Sequence, residues 1–392
     1  MSLQLINHSP DLKRLRDEGY EIVVNGGFLL IHHIPYLNNK KEVLMGSLVS
    51  TLTLSNTTTT GTPDNHVIYF IGENPCNDDG TVITAIQHSN ATMNLREGIT
   101  VNHSFSNKPP AGYPNYYEKV KRYAEIITAP AKFLYPEVTE KTFAVIPDQN
   151  DESVFHYIDT NSSRANIEII NSKFSDQKIA VIGLGGTGAY ALDLISKVPV
   201  AEIHLFDGDS FDQHNAFRSP GAASIEDLAA NSKKADFFAK AYSKMHKKIS
   251  PHPYYVNENN FSLLDGMSYV FICVDKNSVR KKLTDYLVSK GVSFIDVGLG
   301  VNVVGNKLMG AVRITSGTAQ KNDHLVDRIF SEDNDDNDYA TNIQIADLNS
   351  LNATLAVIKW KKLSGFYVDL EHEHHSSYSI SVSKIFNEDV TE

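Results

Sequence analysis

The sequence predicts an α/β protein in which a doubly wound domain follows a smaller α+β domain. Two observations indicate the doubly wound part: from residue 178 onward continuous apolar runs alternate with helical segments, and a glycine-rich turn joins the first run to the first helix. A third observation separates the earlier part, because residues 20–106 carry short β-type runs bounded by turn-rich segments. We therefore expect an α+β domain over residues 1–150, a linker with a helix over residues 151–177, and the doubly wound, Rossmann-like domain over residues 178–392.

Composition limits the class of protein. The chain has 392 residues, 41% of them hydrophobic and 21% charged, which is enough for two or three packed domains. A net charge of −11 argues against nucleic acid or an anionic membrane as the main partner. The first twenty residues are too polar for a signal peptide, and no apolar run approaches ~18 residues. We therefore expect a cytoplasmic protein.

The elements of the first domain follow from its residue pattern. The strand-like runs are YEIVV, GFLLIHHI, EVLMGSLVSTLTL, HVIYFIG and ITVNHSF, separated by turn-forming stretches such as ENPCNDDG. A helix is predicted after them, because Tyr116, Val120, Tyr123 and Ile127 recur at close to helical spacing. Pro130 is expected to end that helix.

The second domain alternates strands and helices. The predicted strands are KIAVI, EIHLF, SYVFICV and VSFIDVG, and the predicted helices run from the glycine turn to residue 197, over about 225–248 and over about 278–290. Ser224 followed by Asp227 is a capping pattern at the start of the second helix. TNIQIADLNSLNATLAVIKWKKL predicts a long buried helix, the acidic stretch SEDNDDND (331–338) a solvated loop, and YSISVS a strand in the tail.

The turn after the first of these strands matches the dinucleotide fingerprint. Gly183, Gly185 and Gly188 fit G-x-G-x-x-G, and Gly186 adds a further glycine. Asp207 follows Gly188 by 19 residues, at the end of the second strand, where a ribose-binding acid belongs. The pattern predicts a phosphate at a helix N-terminus, but it leaves open whether the nucleotide is NAD or another one.

The next stretch, FDGDSFDQHNAFRSPG, favours a different chemistry from hydride transfer. Asp207, Asp209, Asn215 and Arg218 follow one another at intervals of 2, 6 and 3 residues. A hydride-transfer site has little use for an amide and a guanidinium placed after the ribose acid. Nucleotidyl transfer uses them, because negative charge builds on the phosphates as the bond breaks. Asp275, at the end of the strand SYVFICV, adds a carboxylate that suggests either a metal ion or a second contact with the nucleotide.

These motifs together resemble a known family. The spacing G-x-G-G-x-G, then D-x-D, then N-x-x-R, with CVDKNSVR downstream, is similar to that of the ThiF-type adenylating enzymes, which include the ubiquitin-activating enzymes. The likeness covers about residues 160–360. The whole chain resembles a bacterial subgroup in which an uncharacterised N-terminal domain precedes the ThiF-type domain. Members of that subgroup are associated with ubiquitin-like modification systems. The resemblance implies ATP and Mg²⁺ as cofactors.

The resemblance also implies roles for individual residues. The glycine loop would hold ATP phosphates and Asp207 the ribose. Asn215, Arg218 and Lys234 would contact phosphates, with Lys233 as the alternate lysine. Two further roles are implied: Asp275 would be the magnesium-linked aspartate, and Arg164 would be an arginine reaching an ATP site, often that of a partner subunit.

The activity that the resemblance implies is ATP-dependent adenylation of the C-terminal carboxylate of a ubiquitin-like protein, with release of pyrophosphate. It further implies a homodimer, and a conjugating enzyme as a second partner recruited by the N-terminal domain. Three alternatives stay open: an NAD-dependent oxidoreductase, a non-catalytic adaptor that retains the fold, and adenylation of a short peptide. Lys276 stands where relatives carry asparagine, which keeps the adaptor open.

Candidates for a covalent intermediate are few, since residues 300–392 contain no cysteine. We expect Cys273 to pack in an apolar strand and Cys76 to be exposed in a turn without a base. An ester at Ser316 or Thr318 is a minor hypothesis. A metal site at His372, His374 and His375 is another, beside the simpler interpretation of a solvated polar tail.

Overall fold

The architecture is taken from a computed structural model of the chain, which describes residues 2–56, 58–146, 153–330 and 343–391. The chain divides into two compact units, unit 1 over Met1–Ile146 and unit 2 over Pro147–Glu392. The acidic stretch at 331–338 and the polar residues 147–152 lie outside the described residues. Every helix in the described ranges is too short or too polar to cross a membrane.

Unit 1 is an α+β fold. Its described strands form a six-stranded antiparallel sheet in the order β1-β2-β3-β4-β8-β5, with β6 and β7 as a separate hairpin. The elements are α1 (Ser2–His8), α2 (Pro10–Asp17), β1 (Glu21–Asn25), β2 (Phe28–Leu37), β3 (Val43–Thr51), β4 (Val67–Ile71), a 3-10 turn (Thr84–Ile86), β5 (Gln87–Ser89), β6 (Met93–Arg96), β7 (Ile99–Val101), β8 (His103–Ser106) and α3 (Tyr116–Leu134).

Helix α3 fills one side of this sheet. Asn115 caps its start by accepting a hydrogen bond from the Glu118 amide at 2.9 Å. Its apolar stripe is buried with β-strand residues in one core, as the helical spacing predicts. The helix continues past Pro130 to Leu134, so the expected end at the proline is wrong. Pro130 has no backbone N–H and cannot donate to the Ile126 carbonyl, but the four residues after it stay helical.

Cys76 is also not where the sequence analysis expected it. Its side chain is buried, at 1% exposure, because Cys76 pairs through its backbone with Leu37 of β2 and with Val82. Burial raises the pKa of the Cys76 thiol. A buried neutral thiol is a poor nucleophile, so the structure gives Cys76 a packing role.

Lys119 is the charged side chain buried most deeply in α3. Its ammonium group donates to Ser50 Oγ at 2.9 Å and to the Asn65 carbonyl at 3.1 Å, and the residue has no exposed surface. Burial lowers the pKa of Lys119 to about 8, partly opposed by the charge of Asp64. Below that pH the folded unit holds a buried positive charge.

Because Lys119 is buried, we expect the free energy of unfolding of unit 1 to increase as the pH rises from 8 to 10. Over this window the unfolded chain keeps the Lys119 proton while the folded chain releases it, so the free energy of unfolding increases, by about 2 to 3 kcal/mol. Urea unfolding followed by circular dichroism at several pH values measures it. The fluorescence of Trp360, the chain's one tryptophan, reports on unit 2 separately. The Lys119→Met variant should lose the rise, and a rise of the same size in that variant would contradict the assignment.

Unit 2 contains the doubly wound sheet. Its elements are α4 (Thr160–Ala165), α5 (Glu168–Asn171), a 3-10 turn (Ser172–Phe174), β9 (Lys178–Ile182), α6 (Gly186–Ile195), β10 (Glu202–Phe206), α7 (Gln213–Ala216), α8 (Ile225–Ala229), α9 (Lys234–Tyr242), β11 (Ile249–His252), a 3-10 turn (Phe261–Leu264), β12 (Tyr269–Ile272), α10 (Asn277–Lys290), β13 (Ser293–Val304), β14 (Lys307–Gly317), α11 (Leu325–Arg328), α12 (Ala346–Leu363), β15 (His375–Ser379) and β16 (Lys384–Glu388).

The described strands of unit 2 form an eight-stranded sheet in the order β11-β10-β9-β12-β13-β14-β15-β16. The first five positions are parallel and the last three antiparallel. The chain runs from β9 outward to β11 and then returns to β12 on the other side of β9. The order of strands therefore reverses between β9 and β12, and a crevice opens there at their carboxyl ends.

Two apolar cores cover the faces of this sheet, as continuous apolar strands require. Phe174 belongs to one of them, with its ring 4.7 Å from that of Trp360. The segment before β9 is therefore packed on unit 2, although its composition suggests a linker.

Two elements differ from their predictions. The helix expected over about 225–248 is broken into α8 and α9, because Asn231 adopts a left-handed conformation with φ 46°. The capping pair predicted at its start is present, with the Asp227 amide donating to Ser224 Oγ at 3.1 Å. The strand expected at YSISVS in the tail is not one continuous strand. Ser383, with φ 53°, lies in a turn, and the strands on either side of that turn are β15 and β16.

Candidate functional site: a crevice at the strand ends of unit 2

The glycine loop begins directly where β9 ends. Gly183 has φ 86°, and a Cβ atom there would lie 2.6 Å from the Cys273 carbonyl oxygen. Gly188 lies so close to the Gly183 carbonyl that no side chain fits between them. Gly185, which caps α6, faces open space. The loop therefore leaves room for a ligand at the α6 N-terminus, where unpaired backbone N–H groups favour anions.

Asp207 follows β10 and is buried, at 7% exposure. Its two carboxylate oxygens accept hydrogen bonds from backbone amides, one from Leu184 at 2.6 Å and one from Asp209 at 2.8 Å. Burial raises the pKa of Asp207, with the charge of Lys234 opposing. Asp207 thus ties the glycine loop to the turn after β10. Its predicted contact with a ribose stays a prediction.

Asp209 is the exposed carboxylate of this turn, with half of its side chain accessible. Lys234 donates to it at 2.8 Å and is itself buried, while Lys233 donates to the Gly208 carbonyl at 2.8 Å. Partial burial acts to raise the pKa of Asp209. The hydrogen bonds from Lys234 and Tyr255 outweigh this effect and lower the pKa below its usual value. We call residues 207–209 the acidic turn. Lys234 therefore contacts the acidic turn, which holds its ammonium group at the crevice.

Asn215 and Arg218 come from the segment after this turn, and both carry unsatisfied donors. Asn215 Oδ1 accepts from the Asp212 amide at 2.9 Å, which leaves Asn215 Nδ2 buried without a partner. Arg218 Nε is buried and unpaired as well. Burial lowers the pKa of Arg218, and nearby Asp275 opposes that shift. Buried donors without partners cost stability, so this pair fits a ligand that supplies acceptor oxygens.

A cavity of about 690 Å³ opens beside these residues. Thr187 of α6, Arg218, Asp275 and the start of α10 line one side of it, and β13, β14 and β15 line the other. The volume is in the range of small-molecule sites. Arg218 and Asp275, predicted from separate sequence motifs, therefore meet in one cavity beside the glycine loop.

A buried ion network supports the loop that carries Asp275. Asp296 is fully buried, and its oxygens accept from Arg280 Nε at 2.7 Å and from Arg313 Nη1 at 2.8 Å. Arg280 also donates to the Val274 carbonyl at 2.6 Å. This contact fixes the backbone next to Asp275, so the network positions the carboxylate without touching it.

Helix α12 closes the cavity from behind with two asparagines. Asn349 Oδ1 accepts from Thr187 Oγ1 at 3.0 Å, and its amide occupies the space that a side chain at Gly186 would need. Asn352 Nδ2 donates to the Gly298 carbonyl at 3.0 Å, and its Oδ1 is buried without a partner. Both asparagines line the cavity and are at most 1% exposed.

The histidine-rich tail is solvated only in part, since His372 is exposed as expected but the two histidines after it are not. His374 and His375 are buried, and their Nδ1 atoms lie 3.0 Å from Ser316 Oγ and 2.9 Å from Thr315 Oγ1. Burial lowers the pKa of both imidazoles. They join β15 to β14, and the described residues contain no group of three or more His, Cys, Asp or Glu side chains arranged for a metal.

Two further residues that the sequence analysis singled out are Arg164 and Cys273. Arg164 is exposed on α4 and does not line the cavity. Cys273 lines the cavity, but burial raises the pKa of its thiol. The predicted reach of Arg164 to an ATP site stays a prediction.

Sequence reasoning missed Asn349, Asn352, Asp296 and Tyr255. The two asparagines stand three residues apart, on one face of a helix that the sequence predicts to be buried, which is the signal of polar groups at a site. Asp296 interrupts the apolar run VSFIDVG and so signals a buried ion pair. Tyr255 carries no such signal in the sequence.

Both units of the chain match known protein families. Residues 165–358 match the ThiF family, and residues 10–160 match a domain of unknown function, DUF6791. Among curated proteins, the adenylyltransferase and sulfurtransferase UBA4 of Yarrowia lipolytica is 27% identical over 122 residues, 30% of each chain. Ubiquitin-like modifier-activating enzyme 5 of Drosophila simulans is 23% identical over 161 residues, 37% of this chain and 39% of the relative. The chain thus spans about a third of the length of these relatives.

The fold is also similar to solved structures. MccB of E. coli with MccA-N7isoASN aligns over 78% of this chain and 96% of its own, with a TM-score of 0.48 and 15% identity. MccB with ATP aligns over 70% of this chain and 87% of its own, with a TM-score of 0.45 and 17% identity. The chain carries a ThiF family domain, with a Rossmann-like fold, in residues 165–358, and an α+β domain of unknown function precedes it.

Proposed function

We propose that this protein uses ATP to adenylate the C-terminal carboxylate of a ubiquitin-like protein. One observation carries the proposal: Arg218 and Asp275 line the same cavity beside the N-terminus of α6, at the reversal of strand order. A carboxylate for a metal, a cation for phosphate and free backbone N–H groups are the parts that nucleotidyl transfer requires. The curated relatives named above are an adenylyltransferase and a modifier-activating enzyme.

The triphosphate would lie over the glycine loop. The open space at Gly185 and the unpaired donors of Asn215 and Arg218 fit its oxygens. Lys234 is held at the crevice by Asp209 and would add a positive charge there. We assign the ribose to Asp209, because it is the exposed acid of the turn while Asp207 already binds two backbone amides.

In the proposed reaction a carboxylate oxygen of the substrate attacks the α-phosphorus. The bond from that phosphorus to the bridging oxygen breaks, pyrophosphate leaves, and an acyl-adenylate remains. Arg218 would stabilise the charge that develops on the phosphates. Mg²⁺ fits the site, because Mg²⁺ typically takes one or two carboxylates with phosphate and water oxygens, and Asp275 is such a carboxylate. When bound, the ion would neutralise charge on the phosphates.

The wall of the cavity that β13 forms fits a substrate with a narrow, flexible tail. β13 extends beyond the end of β12, and Gly298 and Gly300 give this wall a backbone surface. A Cβ atom at Gly300 would have no atom of the described residues within 4 Å, so this part of the wall leaves space for a ligand. A chain end of small residues in extended form would reach Asp275 along this wall.

The resemblance to the ThiF-type enzymes supports two partner proposals. A homodimer would let the exposed Arg164 on α4 contact the ATP site of a second subunit. The α+β domain would recruit a further protein, such as a conjugating enzyme. Neither proposal changes the chemistry assigned to unit 2.

ATP–pyrophosphate exchange on the full chain tests the proposed function. Exchange should depend on Mg²⁺ and on a ubiquitin-like protein with a free C-terminal tail, and truncating that tail should abolish it. Exchange with short peptides alone would indicate a peptide substrate instead. ATP binding without exchange for any carboxylate would indicate an adaptor, and tighter binding of NAD than of ATP, with hydride transfer, would overturn the proposal.

A further inference from the structure

Tyr255 is an exposed aromatic residue fixed beside the acidic turn. It follows β11, and its ring lies against the backbone of Gly208, where a Cβ atom would come within 2.8 Å of the ring carbons. Its hydroxyl donates to Asp209 Oδ1. Although the residue is held at both ends in this way, 63% of it is exposed. An exposed aromatic ring thus lies next to Asp209, held by its contact with Gly208 and by the hydrogen bond of its hydroxyl.

The neighbouring tyrosine behaves differently. The Tyr254 hydroxyl lies 3.0 Å from His252 Nδ1, and its ring packs edge-on to Phe206 with centroids 6.3 Å apart. Tyr254 has no described contact with Asp209 or Gly208. Of these two adjacent tyrosines, only Tyr255 is joined to the acidic turn.

Tyr255 lies where the base of a nucleotide is expected if phosphates, ribose and base follow one another along the ends of β9, β10 and β11. In doubly wound folds the phosphates lie at the glycine loop after the first strand, and the acid after the second strand binds the ribose. Here those strands are β9 and β10, and the ribose is assigned to Asp209. The base would then lie beyond the ribose, toward β11, and Tyr255 follows that strand.

We infer that Tyr255 is the stacking surface for the nucleobase of the bound purine nucleotide, with its hydroxyl orienting Asp209 toward the ribose. The inference rests on the proposed function, since it requires ATP in this crevice. The hydrogen bond to Asp209 raises the pKa of Tyr255 to about 12, further above neutral pH than its usual value. The hydroxyl therefore stays a donor at neutral pH.

Binding of ATP and of inorganic tripolyphosphate to the full chain, measured by calorimetry, tests this inference. Removing the ring in Tyr255→Ala should weaken ATP binding about 10-fold, the effect of losing one base–aromatic stack. Tripolyphosphate has no base, so its affinity should not change. Tyr255→Phe keeps the ring and should stay within about threefold of the unmodified chain. Tyr254→Ala is the matched control and should bind ATP normally.

The outcomes separate this inference from the proposed function. If the unmodified chain binds ATP and Tyr255→Ala binds it equally well, the stacking role is wrong while the proposed function stands. Equal losses for ATP and tripolyphosphate, or equal losses in Tyr255→Ala and Tyr254→Ala, would also overturn the stacking role. If the unmodified chain does not bind ATP, the proposed function fails and the inference fails with it.

Discussion

Replacing Asp275 with asparagine is expected to reduce ATP–pyrophosphate exchange by about 10²- to 10³-fold, the usual loss when one group that stabilises the transition state is removed. The substitution keeps the shape of the side chain and removes its charge. Asp275 lies in the cavity with Arg218, at the place where the proposed reaction develops negative charge. ATP affinity should change much less than the exchange rate, because the binding contacts lie mainly at the glycine loop and the acidic turn.

The control for this experiment is Asp285→Asn. Asp285 lies on α10, in the same unit, but it is exposed and pairs with Lys281 on the helix surface. It does not line the cavity. The variant should exchange at the rate of the unmodified chain, and an Asp275→Asn variant within threefold of that rate would show that Asp275 has no part in catalysis.

The largest loss of stability is expected from Asp296→Ala. This change leaves the buried guanidinium of Arg280 without its counter-charge, which typically costs about 3 to 5 kcal/mol. For a unit of this size the melting temperature should fall by roughly 2 to 4 °C for each kcal/mol. Thermal unfolding of the full chain, followed by Trp360 fluorescence, measures the transition of unit 2.

A surface ion pair provides the comparison. Asp285→Ala removes the partner of Lys281 and should cost no more than about 0.5 kcal/mol, because both side chains are accessible to water. A loss from Asp296→Ala as small as this would contradict the interpretation that Arg280 depends on a buried counter-charge. Arg280 also holds the backbone next to Asp275, so the folded fraction of Asp296→Ala should show reduced exchange as well.

The local parts of the site could be predicted from the sequence. The strand, glycine turn and helix over β9 and α6 follow from apolar runs and glycine spacing, and both are properties of neighbouring residues. Gly188 must be small for a local reason, because it lies against the carbonyl of Gly183 five residues earlier, whereas the Cys273 carbonyl that crowds Gly183 comes from a distant strand end. The fold class followed in the same way, because alternation of strands and helices limits the topology.

Contacts between distant residues could not be predicted. Nothing in the residues around Asp207 indicates that its oxygens bind the Leu184 amide rather than face the crevice. The burial of Cys76 depends on β-bridges to Leu37 and Val82, and the turn signals around it predict exposure. In both cases contacts with distant residues determine whether the side chain faces solvent, and the neighbouring residues in the sequence predict the opposite.

The contact between Asn349 and the glycine loop has a consequence for how the chain is made. Thr187 and Asn349 are 162 residues apart. At ~5 to 20 residues per second, a ribosome needs about 8 to 30 s to add that length. During this interval the newly made loop lacks the helix that packs on Gly186, and the nucleotide crevice has no rear wall. Unit 1, whose residues all come earlier, can fold first, whereas the crevice is completed only once α12 has been synthesised.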